Sequence, residues 1–117
     1  MQQYSLFRYF FRDSCNNKYW GKILLKGKAC TEATEALENC FDMGCLFYPQ
    51  FLNIPLLHYQ CYPEGLDMLE GWVAHEFARL EIAELQDIQG LPVWGSIDEF
   101  ILLARKTVTT GSSRYDP

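Results

Sequence analysis

The sequence has no uncharged apolar run approaching the roughly 18 residues needed to cross a bilayer. Its opening, MQQYSLFRYFFRD, interrupts an aromatic run with Arg8 and Arg12, so it lacks the apolar core of a signal peptide. Neither G-x-G-x-x-G nor G-x-x-x-x-G-K occurs, which removes the usual backbone cradles for phosphate. G-x-S-x-G is missing too, and with it the local signature of a serine nucleophile. Histidine is scarce, with two in the chain, and cysteine is odd in number at five. An odd set of cysteines in a chain long enough for a real core argues against a disulfide framework. These absences make a non-enzymatic protein of the reducing cytoplasm the expectation, with no membrane and no cofactor.

Aromatic residues are abundant: eight Phe, seven Tyr and three Trp among 117 residues. Such side chains dominate both cores and interfaces. Length and a 49% hydrophobic composition suit one globular domain, expected over residues 1–106, with the polar residues 107–117 as a flexible tail. The formal charge of −5 is unevenly spread. Residues 1–30 carry six Lys/Arg against one Asp, and the remainder carries four against fourteen Asp/Glu. The simplest reading is internal complementarity, in which a basic hairpin lies near acidic elements.

Residues 4–11 and 19–28 read as two strands around the polar break DSCNNK, where Asn16-Asn17 suit a tight hairpin. Alternation puts Leu6, Arg8, Phe10 and Arg12 on one face of the first strand, and Trp20, Lys22 and Leu24 on one face of the second. A helix follows over residues 31–43, capped by Thr31 and stopped by Gly44. Ala33, Ala36, Leu37, Cys40 and Phe41 form its apolar stripe. Three prolines break up the next segment, and residues 56–62 are its best edge strand.

The stretch of residues 66–89 is read first as a long helix, with Leu66, Leu69, Val73, Phe77 and Leu80 in register. The stripe fails beyond Leu80, so residues 72–84 also read as a strand with His75, Phe77, Arg79 and Glu81 on one face. Residues 90–95 look like a turn-rich connector. Ser96 then opens a helix whose Glu99 completes a capping box, with Ile97, Phe100, Ile101 and Ala104 facing inward. The expected fold is α+β, in the order β-β-α-β-α-α: a small antiparallel sheet with an N-terminal hairpin, covered by two or three helices.

Three functional readings follow. The leading one is a protein-interaction module that binds another protein or its own copy, through exposed aromatics set among charges. Its expected contact residues are Arg8, Phe10, Arg12, Trp20 and Lys22, with His75 and Arg79 on the exposed side of the long element. The first alternative is a zinc site from Cys40, Cys45, His58 and Cys61, whose spacing offers two close ligand pairs; the competing reading packs Cys40 and Cys61 in the core. The second is single-stranded nucleic acid held on the basic–aromatic hairpin face. His75-Glu76 resembles half of a zinc-protease helix, but Arg79 stands where that motif needs its second histidine, and a guanidinium does not ligate zinc.

Overall fold

A computed structural model describes residues 2–60 and 73–115, with side chains described as far as Lys106. The domain is α+β. Strands β1 (Tyr4–Arg12) and β2 (Lys18–Lys26) form the predicted hairpin, pairing Tyr4 with Lys26 through Arg12 with Lys18. At its turn Asn16 takes a φ of 67°, and the Asp13 carboxylate accepts from the Cys15 and Asn17 N–H groups at 2.9 and 2.8 Å. Asparagine tolerates that left-handed backbone because its short polar side chain bonds locally.

Helix α1 (Thr31–Cys40) presents Ala33, Leu37 and Cys40 to the core, with Phe41 just beyond it. Its cap is Cys30, with no side-chain bond, so Thr31 is the first helical residue and not the cap. The helix also stops before Met43, because Phe41 is already extended. Gly44, at φ 80°, instead shapes the reverse turn that follows. That turn leads into the short strand β3 (Leu46–Phe47).

The edge strand expected over residues 56–62 does not form over 56–60, and 61–62 lie outside the described residues. Pro49–Leu52 and His58–Gln60 are 3-10 turns, and the Leu57 N–H donates to a side chain, His75 Nε2, at 2.9 Å. The Tyr9 hydroxyl pins the same loop by donating to the Pro55 carbonyl at 2.7 Å. Its ring crosses Gly21, where a Cβ would meet both Tyr9 and Leu57 at 2.9 Å, so this position has no room for a side chain.

The long element is a strand, β4 (His75–Ile82), and the single-helix reading of residues 66–89 is overturned; the first part of that range lies outside the described residues. Simple alternation fails as well. Arg8 faces Arg79 but Tyr9 faces Phe77, so Ala78 is an extra residue, a β-bulge. A side-chain period of two inverts across an inserted residue. His75, Phe77 and Leu80 therefore all reach the core, while Glu76, Arg79 and Glu81 lie on the other face. This spacing of two and then three imitated a helical stripe.

Helix α2 (Leu85–Gly90) and strand β5 (Val93–Ser96) come next, so the expected connector contains a strand. Pro92 precedes that strand, where its missing N–H does no harm. β5 pairs parallel with β2 and completes a five-stranded sheet in the order β3-β4-β1-β2-β5. Helix α3 (Ile97–Tyr115) continues past Lys106, into the stretch read as a tail. Its capping box forms as predicted: the Glu99 N–H donates to Ser96 Oγ, and the Ser96 N–H donates to Glu99 Oε1, each at 3.0 Å. Ser96→Ala is expected to cost about 1 kcal/mol. Urea unfolding measures this, and an unchanged midpoint would remove the box from the stabilising set.

α1 and α3 cover one face of the sheet. There Phe7 is fully buried, with its ring centroid 5.0 Å from Phe77 and 4.7 Å from Phe100. α2 closes a smaller cluster on the opposite face, over Leu6, Leu24 and Ala83.

Candidate functional site

Six of the seven expected contact residues meet on the outer face of the sheet, the face away from α1 and α3. Strand pairing sets Arg8 opposite Lys22 and Phe10 opposite Trp20, and it places Arg79 beside Arg8. Phe10 is buried beneath its neighbours, with Lys18 Nζ 4.9 Å and Arg12 Cζ 5.3 Å from its ring centre, while Trp20 stays about half exposed. The cations, however, are already engaged. Arg8 and Arg79 both bond Glu81, Arg12 bonds Glu76 at 3.0 Å, and Lys22 bonds Asp87 at 2.8 Å. The Lys22 ammonium holds the Asp87 carboxyl below the usual carboxylate range. The charge asymmetry of the sequence is thus met by internal pairing, and phosphate would have to compete with three carboxylates placed among these cations.

His75 is the exception. It was expected on an exposed face with Arg79, but the bulge puts it on the opposite side, fully buried. Its Nε2 accepts from the Leu57 N–H at 2.9 Å, and its Nδ1 lies 3.0 Å from the Val73 carbonyl. An accepting Nε2 leaves the proton on Nδ1, so the ring is neutral and ties the proline-rich loop to β4. Burial pushes its pKa down to about 4. His58 lies 6.2 Å away between ring centroids, with Phe11 packed against both rings. This pairing of the two histidines has no sequence signal, since they come from a turn and a strand.

The proposed zinc ligands do not assemble among the described residues, where no three His, Cys, Asp or Glu side chains lie close enough to hold a metal. Cys40 is buried in the core stripe of α1, Cys45 sits half-buried at the turn before β3, and His58 packs against Tyr59 and Phe11. Cys61 lies outside the described residues.

A feature that no sequence motif announces is the outer edge of β4. β3 covers only its first part, pairing with His75 and Glu76 and accepting the Phe77 N–H at the Cys45 carbonyl. Beyond the bulge no strand lies on that side among the described residues. The Ala83 N–H donates to the Tyr4 carbonyl. In an antiparallel ladder the residues that bond a given neighbour alternate, so Glu81 and Arg79 also turn their backbone toward β1. Leu80 and Ile82 turn theirs outward.

That outward edge forms one wall of a groove of about 450 Å3. The other wall is α1, through Thr31, Thr34, Glu35 and Glu38, which recur at helical spacing. The floor at the groove's end is Ala29 and Cys30. A more apolar hollow of about 320 Å3 lies between Pro55, Leu91 and Trp94; its one charged lining residue, Lys22, is bound to Asp87. No helix among the described residues is long and apolar enough to cross a membrane. No family model, curated protein or solved structure matches the chain, so its own geometry is the ground for a functional reading.

Proposed function

We propose that this chain is a non-enzymatic protein-interaction module that takes an extended segment of another protein as an added strand along the outer edge of β4. The observation that carries this reading is the run beyond the bulge, where Leu80 and Ile82 turn backbone N–H and C=O groups into a groove already walled by α1. An unpaired strand edge is a template for another chain, and folds that do not use one generally cover or blunt it. Addition of a strand draws its affinity from main-chain bonds and its specificity from the flanking pockets. Ile82, at 68% exposed, offers the incoming segment an apolar contact at the mouth of the groove. The exposed free thiols of Cys15 and Cys30 suit a reducing compartment, so we place the module in the cytoplasm.

Hydrogen exchange tests this directly. In the free protein the Leu80 and Ile82 amides are expected to exchange quickly, while those of Arg79, Glu81 and Ala83 are held by β1. Slow exchange at Leu80 and Ile82 would mean the edge is already occupied, and the reading would fail. Ile82→Pro removes one outward donor at an exposed side chain, where an edge strand tolerates proline. It should leave the fold intact, yet weaken peptides selected from a random display library by about tenfold, the worth of roughly 1.4 kcal/mol of main-chain bonding.

A further inference from the structure

We infer that the occupant of this groove is a cationic extended segment, one with Lys or Arg on the alternate positions that face α1. The inference rests on the strand-addition reading above and names the chemistry of the partner. A strand added beside β4 points every second side chain toward the helical wall. There it meets the stripe of Thr31, Thr34, Glu35 and Glu38, with both glutamates exposed to solvent. Among the described residues every charged one that lines the groove is a glutamate. Glu81, on the sheet side, is bound by Arg8 and Arg79, whereas Glu35 and Glu38 on the helical wall have no ion pair among the described residues.

Cations at alternating positions would meet Glu35 and Glu38 while the main chain bonds Leu80 and Ile82. The same charge disfavours a second copy of this protein. A two-fold dimer through β4 apposes identical surfaces, so each copy's Glu35 and Glu38 would stand in the neighbourhood of their own equivalents. Like charges across a small interface are costly, and among the described residues no cation lines the groove to offset them.

Fluorescence anisotropy with three labelled octapeptides, (Lys-Val)4, (Ser-Val)4 and (Glu-Val)4, tests the inference on the full chain at low and physiological salt. (Lys-Val)4 is expected to bind at least about tenfold tighter than (Ser-Val)4 at low salt, with the advantage shrinking as salt screens the wall. (Glu-Val)4 should bind least. The double variant Glu35→Lys, Glu38→Lys changes exposed helical positions, so it should fold normally and reverse the order. Equal binding of the three peptides, unaffected by the double variant, would overturn the cationic occupant while leaving strand addition standing.

A (Lys-Val)4 analogue methylated on alternate amides separates the two claims. If it binds as well as its parent, attraction to the glutamates is real but strand addition is wrong. Dimerisation through β4, abolished by Ile82→Pro and indifferent to the peptides, would overturn the inference in favour of a second copy.

Discussion

Phe7→Ala is expected to destabilise the domain by about 3–5 kcal/mol, because it empties a fully buried ring site at the centre of the sheet. That ring stacks on Phe77 at 5.0 Å and meets Phe100 at 4.7 Å, so its loss uncouples β1 from both β4 and α3. Deleting Ala78 is expected to cost far less. Arg8 pairs with Arg79 and Tyr9 with Phe77, so removing the inserted residue leaves a regular strand in which His75, Phe77 and Leu80 still share the core face. Urea unfolding measures both variants. A Phe7→Ala variant as stable as wild type would remove the aromatic stack from the stabilising set, and a deletion variant that fails to fold would show that the bulge does more than absorb an extra residue.

The second large effect is a loss of stability on mild acidification. His75 is held neutral because burial disfavours its charged form, and its folded pKa is about 4 against an ordinary value of 6.5. The unfolded chain therefore takes up this proton as pH falls below about 6.5, while the folded chain refuses it until about 4. The stabilising difference is complete above the unfolded value and is lost progressively as pH falls between the two. A shift of this size corresponds to ~3 kcal/mol.

Burial pushes His58 in the same direction, and its ring faces His75, so protonation of one opposes protonation of the other. Carboxylates act only at lower pH. Asp87 is held down by Lys22; burial pushes Glu81 up, but its bonds to Arg79 and Arg8 pull it further down. Both groups lose their contribution below about 4, so the acid profile should show two stages. His75→Gln removes the titrating group and keeps an amide able to hydrogen-bond. Its unfolding free energy should be lower at pH 7 and flatter between pH 7 and pH 4. Parallel profiles for variant and wild type would locate the acid sensitivity elsewhere.

What the sequence made legible was what neighbouring residues decide among themselves. The hairpin, the mixed basic–aromatic face of its strands, the buried stripe of α1 and the Ser96–Glu99 cap all depend on residues a few positions apart, and all form. β4 was ambiguous for a physical reason. A bulged strand places core residues at intervals of two and three, and a helix uses three and four, so Phe77 and Leu80 satisfy both. The fate of His75 turned on that one inserted residue.

The loop before it was misread because Leu57 finds its partner in a distant imidazole, and the sequence around Leu57 carries no trace of that bond. β5 was hidden by its brevity and by Pro92, which reads as punctuation. Of the candidate site, the outer-face residues were found, but their neutralising partners Glu76, Glu81 and Asp87 come from β4 and α2 and could not be assigned. The groove was invisible for a further reason: among the described residues no strand lies beside the second half of β4, and a sequence has no symbol for an empty position.

β1 occupies the middle of the sheet although it comes before the other four strands in sequence. One of its edges is satisfied at once by β2, across a short turn. The other waits for β4, and Arg8 lies 73 residues from the Glu81 it bonds. During synthesis the hairpin therefore presents Leu6 and Arg8 with unanswered backbone groups until β4 has emerged. Long-range pairing of this kind slows folding and prolongs exposure to other chains. A nascent hairpin with one open edge and a layer of Phe and Tyr on one side is the stage at which this sheet exposes the most pairing and apolar surface. The mature domain moves that open edge from the centre of its sheet to the margin, where the second half of β4 lies beside α1 with no strand next to it among the described residues.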